Sequence, residues 1–196
     1  MEFTWYKGHG TENDFVLLPD HDGSIHGDLD PDFVASLCDR RRGLGADGLI
    51  RVIRCTALGH NSPAEWFMDY RNADGSVSQM CGNGIRVMAR FLLDQGLVEG
   101  PQFSIDTRDG LKFITVDAKN LTVDMGAWTL GGTSSVSVEG RSFDATEVHT
   151  GNPHAVALVN SVADGGTLLA EPGFDRSVYP TGVNIEFVER VENRHI

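Results

Sequence analysis

"QMCGNGIRVMARFLLDQG", residues 79–96, decides the fold. Ile85, Met88, Ala89, Leu92 and Leu93 recur at spacings of three and four, which predicts a helix with one buried face, and Gly96 is a natural stop. The segments around it have a different period. "FTWYKGHG" and "DFVLLP" precede it as two short strands about a polar bend, and "FSIDTRDG", "LKFITV" and "LTVDMG" follow with stretches of period two. A helix set among strands, rather than alternating with them, predicts an α+β fold with more strand than helix.

Working outward, "DPDFVASLCDRR" has Asp30 as N-cap, Pro31 in the first turn, and Phe33, Val34, Leu37 and Cys38 on one face, which buries Cys38. "GLGADGLIRVIRC" is a glycine-rich turn feeding a strand with no cleanly polar face, and the turn fits neither a dinucleotide fingerprint nor a phosphate loop. Beyond it, "AEWFMDY" runs as a strand into the turn "RNADGS". A domain boundary is expected near 116, giving domains at 1–116 and 117–196. The second is rich in strands, but "GGTLLAEP" allows at most two helical turns, so its central helix is missing and it reads as incomplete at Ile196.

The chain has 28 acidic and 16 basic residues, a formal net charge of -12, which repels nucleic acid and anionic membranes. No apolar run is long enough for a membrane span and the start is unlike a signal peptide, so a cytoplasmic protein is expected. Cys38, Cys55 and Cys81 are too sparse for a disulfide scaffold or a thiolate metal site. The seven histidines lack metal-ligand spacing, so neither a metal nor a cofactor is expected.

Cys81 heads the helix, where unpaired N–H groups and the helix dipole favour negative charge. That field would favour a thiolate, while Gly82 and Gly84 let a carboxylate approach the N–H groups of Gly82 and Asn83. The pairing suits proton abstraction beside a carboxylate, and suits nucleophilic attack equally well. Asn13, Asn72, Asn152 and Asn184 could supply uncharged partners for an amino acid's amine and carboxylate, and His154 could tune a thiol.

The motifs "GHGTENDF" (8–15), "RRGLGADGL" (41–49), "YRNADGSVSQMCGNGIR" (70–86), "GNPH" (151–154) and "GVNIEF" (182–187) resemble those of diaminopimelate epimerase. The resemblance implies a cofactor-independent enzyme that interconverts L,L- and meso-diaminopimelate with two thiols, built as two similar strand-rich, barrel-like domains, each around a central helix. It implies that Cys81 is one of the thiols, that the backbone of Gly82 and Asn83 holds the reacting carboxylate, and that Asn13 lies near the reacting amine. Asn72, Asn152 and Asn184 would hold the distal amino acid end, with His154 close to the thiols.

Gly48 stands where many members have glutamine. A larger departure is that the family's later Glu-Arg pair and second catalytic cysteine have no counterpart, so the chain resembles roughly the first two thirds of the enzyme. The missing thiol would come from the same or another chain, or a homodimer would form. The alternatives are an amino-acid-binding or structural fragment without turnover, and a proline racemase-like enzyme.

Overall fold

The computed structural model describes residues 2–118 and 120–191. They form two compact units that divide between Met125 and Gly126. The first carries seven strands: β1 (Tyr6–Gly10), β2 (Asn13–Pro19), β3 (Gly48–Arg54), β4 (Trp66–Asn72), β5 (Gln102–Asp106), β6 (Lys112–Asp117) and β7 (Asn120–Asp124). They lie in the sheet in chain order. Composition places a boundary near 116, but β7 lies beyond it and pairs antiparallel with β6, so residues 120–124 go with the first unit.

Two neighbouring pairs are parallel, β2 with β3 and β4 with β5. A parallel pair needs a crossover, and each crossover here contains a helix: α1 (Pro31–Cys38) in the first and α2 (Gly82–Asp94) in the second. The Asp30 side chain caps α1 by accepting from the Phe33 N–H. Along β2, Phe15 and Leu17 join the core under α2, while Val16 and Leu18 join Val34 and Cys38 of α1. β2 and β3 are therefore covered on both sides, which is why neither reads as half-polar. Because α2 packs against both β1 and β7, the two edge strands, the sheet curls around the helix as a half-barrel.

In the second unit the order is β11-β8-β9-β10-β12, from β8 (Thr129–Val138), β9 (Arg141–His149), β10 (Pro153–Val159), β11 (Gly173–Phe174) and β12 (Asn184–Glu189). Val136, Ala145, Ala155, Ala157 and Tyr179 form its core. Its helical element among the described residues is a single 3-10 turn, Val162–Gly165, so this half-barrel has a much shorter helix than the first. "GGTLLAEP", which allows at most two helical turns, carries no helix beyond the end of that turn at Gly165; Leu168 and Leu169 are exposed. No described helix is long and apolar enough to cross a membrane.

The loop after β2 supplies a pH test. His21 lies edge-on to Trp66 and His26 edge-on to Phe3, and each has a buried Nε2 without a partner in the structure. Burial pulls both imidazoles below their usual range. The unfolded chain thus binds more protons than the folded one between the lowered values and the ordinary histidine value of about 6.5. Stability is expected to be level above that pH and to fall on acidification through the window. Thermal midpoints at neutral and mildly acidic pH check this, and His21→Leu should flatten the dependence.

Candidate active site

Cys81 is the N-cap of α2, with extended backbone, and its Sγ accepts from the Gly84 N–H at 3.4 Å. The sulfur is thus tied to the helix head where the dipole favours an anion. Gly82 and Asn83, the first two helical residues, have no intrahelical acceptor for their N–H groups. A Cβ added at Gly82 would meet nothing closer than Met125 at 3.7 Å, so the backbone there is open to approach.

The bend between β1 and β2 is brought to this helix head. Gly10 pairs with Asn13, which leaves a two-residue hairpin of Thr11 and Glu12, both with positive φ. Such a turn matches strand twist but favours Asn and Gly, so its non-glycine residues are mildly strained. Asn13 is oriented by Asp47, whose Oδ2 accepts from Asn13 Nδ2 at 2.8 Å. Its Oδ1 then faces the site, 3.9 Å from Cys81 Sγ and 3.3 Å from Asn83 Nδ2. Arg40 pairs with both Asp14 and Asp47 at 2.7 Å. Arg40 foremost holds the Asp14 carboxyl well below the usual carboxylate range.

Two further residues escaped sequence reasoning. Arg86 donates to the Gly82 carbonyl at 2.9 Å, to Thr11 Oγ1 at 3.1 Å and to Asn83 Oδ1, joining the bend to the first helical turn. The signal was present, since Arg86 lies three and four residues after Asn83 and Gly82 on a helix. Tyr70, on β4, donates to Asn72 Oδ1 at 3.0 Å, while Asn72 Nδ2 donates to Ser76 Oγ at 2.9 Å. Gly48 makes room for that tyrosine: a Cβ there would lie 2.6 Å from Tyr70 Cε2 and 2.8 Å from the Arg71 carbonyl oxygen.

Cys38 and Cys55 are buried. Burial pushes the Cys38 thiol up to about 11 and raises that of Cys55 as well. Cys81, by contrast, is half-buried.

In the second unit, His154 and Asn184 are register partners of the parallel pair β10 and β12. His154 Nδ1 lies 2.7 Å from Glu186 Oε1, and Nε2 lies 3.1 Å from Thr150 Oγ1. In the neutral ring this favours a proton on Nδ1, with Nε2 accepting from the threonine. Asn184 Nδ2 donates to the Pro153 carbonyl at 3.2 Å. Asn152 lies in the turn just before β10. Among the described residues no group of three or more His, Cys, Asp or Glu is placed to hold a metal ion.

A family model described as diaminopimelate epimerase matches residues 5–131. The diaminopimelate epimerase of Streptomyces coelicolor is 50% identical over 198 aligned positions, spanning 97% of this chain and 68% of that protein. Those of Rhodococcus opacus and Thermobifida fusca are 44% and 46% identical, spanning 98% and 94% of this chain and 72% and 70% of theirs. Among solved structures, a hydroxyproline epimerase from Agrobacterium vitis superposes with a TM-score of 0.61 at 14% identity, covering 83% of this chain and 52% of that one. A probable proline racemase from Agrobacterium radiobacter gives 0.60 at 13%, covering 85% and 54%. At such identities these two likenesses speak to fold alone.

Proposed function

This chain belongs to the diaminopimelate epimerase family, and from that premise we propose that Cys81 is one of two thiols that invert an α-carbon of L,L- or meso-diaminopimelate. One observation carries the reading: the Cys81 sulfur is bonded to the N–H of Gly84 at the head of α2, with the Asn13 amide oxygen on its other side.

The substrate's α-carboxylate sits on the N–H groups of Gly82 and Asn83, and its ammonium donates to Asn13 Oδ1. The Cys81 thiolate removes the α-proton; the C–H bond breaks, S–H forms, and the electron pair spreads into the carboxylate, where the helix head stabilises it. A second thiol on the opposite face returns a proton to carbon and becomes the thiolate. Two groups are needed because one residue cannot reach both faces of a held substrate.

Neither Cys38 nor Cys55 suits that second role, since both are buried and their thiols are harder to ionise. The second thiol therefore comes from outside these 196 residues, whether from the same chain or another, in a homodimer or otherwise. Asn72, Asn152 and Asn184 are assigned to the distal amino acid end, and His154 to the neighbourhood of the thiols. The reaction uses no cofactor. The reading places the enzyme in the cytoplasm, with a free amino acid as its partner in preference to nucleic acid or membrane.

The test is solvent deuterium uptake at the α-carbon in heavy water. The protein is used alone and joined to the part of the Streptomyces coelicolor enzyme that lies outside the match. The joined protein should label diaminopimelate and leave L-proline untouched; uptake into proline alone sinks the substrate assignment. This chain alone should bind diaminopimelate without inverting it, since among its own cysteines Cys81 is the one that is not buried.

A further inference from the structure

The two amides at the helix head, Asn83 and Asn13, belong to one hydrogen-bonded chain whose ends are chemically fixed. At one end stands Arg86, which can only donate; its Nη2 gives hydrogens to Asn83 Oδ1 and to Thr11 Oγ1. At the other end stands the Asp47 carboxylate, which can only accept; it takes Asn13 Nδ2 at 2.8 Å and Arg40 Nη2 at 2.7 Å. Between them Asn83 Nδ2 donates to Asn13 Oδ1 at 3.3 Å. Turning over either amide would set donor against donor and acceptor against acceptor. Each asparagine therefore has one permitted orientation, and a carbonyl oxygen has two lone pairs, so Asn13 Oδ1 keeps one for a further donor. The backbone allows the approach: a Cβ at Gly10 would lie 3.1 Å from the Asn83 carbonyl oxygen, so the bend sits close against the helix head.

Arg86 gains nothing from the field of its own helix. Its side chain runs back to the Gly82 carbonyl, 2.9 Å away, and a cation near a helix N-terminus opposes the dipole. Its three contacts are what account for it. We propose that Arg86 is a positioning residue of the active site, which fixes the amide of Asn83 and, through it, the Asn13 oxygen that receives the substrate's ammonium. The inference rests on the reading of Asn13 as that acceptor. Without the guanidinium, Asn83 Oδ1 loses its donor, the amide is free to rotate, and its NH2 no longer steadies Asn13 Oδ1. Asp47 would still hold Asn13 from the other side, so the contact to substrate loosens without disappearing. Removing Asn13 itself abolishes the same contact, which makes the two losses overlap.

The experiment is calorimetric binding of meso-diaminopimelate to this chain in four forms: unsubstituted, Arg86→Met, Asn13→Ala, and both substitutions together. Arg90→Met serves as control, because it removes a cation one turn along the same helix that pairs with Asp94 at 4.0 Å. Hydrogen exchange of the Asn83 side-chain amide is followed by NMR in the same proteins. Arg86→Met should weaken binding about tenfold and speed that exchange about tenfold, while Arg90→Met stays within about twofold of the unsubstituted chain. The double variant should bind no more weakly than Asn13→Ala alone, since the two residues act on one contact. Additive losses overturn the inference, because the guanidinium would then act independently of Asn13, as a charge near the carboxylate or a brace for the fold. Unchanged exchange at Asn83 also overturns it, and either result leaves the roles of Asn13 and Cys81 standing. Absence of binding by the unsubstituted chain removes the reading of Asn13 and this inference with it. Should Arg86→Met not fold, Arg86→Lys keeps the charge but replaces the fork with a single nitrogen; it must show the same overlap with Asn13→Ala, and additive losses there overturn the inference equally.

Discussion

Cys81→Ala is expected to reduce α-proton exchange with diaminopimelate by at least about a thousandfold in the joined protein, the scale set by losing a positioned general base. The sulfur accepts from the Gly84 N–H and, as a thiol, faces the Asn13 amide oxygen as its acceptor, and neither contact can place a water molecule with comparable basicity where the thiolate stood. Cys81→Ser should lose nearly as much, since a hydroxyl at the same position ionises far less readily. Retention of more than a tenth of the activity in either variant would remove Cys81 from the mechanism. The unsubstituted protein offers an independent check that needs no turnover. Iodoacetamide at mildly alkaline pH should label Cys81 about a hundredfold faster than Cys38, whose thiol is buried and pushed up to about 11. Comparable labelling of the two would mean that this helix head does not present its sulfur.

The helix at Gly82–Asp94 was legible because its apolar stripe has one period over three turns, and the N-cap role of Cys81 followed from the glycines beside it. The alternation of the strands announced a sheet, but not which neighbours run parallel. That depends on α1 and α2 acting as crossovers, a fact of chain path rather than of local pattern. The boundary near 116 was read from the loop composition of "VDAKN", whereas the antiparallel ladder of β6 and β7 carries the first unit past it. At the site, the asparagines stood out singly as turn residues. What could not be read was how each amide is turned. Asn13 is 34 residues from the aspartate that orients it and 68 from the thiol it faces. Tyr70 was invisible for a related reason, since a tyrosine in a buried strand reads as core until its hydroxyl is seen against Asn72. Arg51 reads as an awkward charge in an apolar strand, and its partners lie on two other parts of the chain.

Those partners make Arg51→Ala the substitution expected to cost the first unit most stability. Arg51 is 4% exposed on β3, and its Nε donates to Asp20 Oδ2 at 2.9 Å while Nη1 lies 3.7 Å from Asp69 Oδ2. Asp69 would survive the loss, because Arg71 and Arg108 remain bonded to its Oδ1 at 3.1 and 2.5 Å. Among the described residues, Asp20, fully buried, would keep only the N–H groups of Ile25 and His26. Stranding a buried carboxylate in this way costs about 3–5 kcal/mol, or roughly 10–20 °C in the melting midpoint of a unit this size. Charge and packing are separable: Arg51→Met restores much of the volume but leaves Asp20 stranded, whereas Arg51→Met with Asp20→Asn removes that charge as well and should melt well above Arg51→Met alone. If the double variant is no more stable than the single one, the cost lies in lost packing and the stranded carboxylate is not its cause. The site should feel the same change. Arg108, bonded to Asp69, also donates to the Tyr70 carbonyl at 3.2 Å, so slack introduced at Asp20 and Asp69 reaches the strand end that carries Tyr70 and Asn72. Arg51→Ala should therefore weaken diaminopimelate binding at temperatures where the unit is still folded.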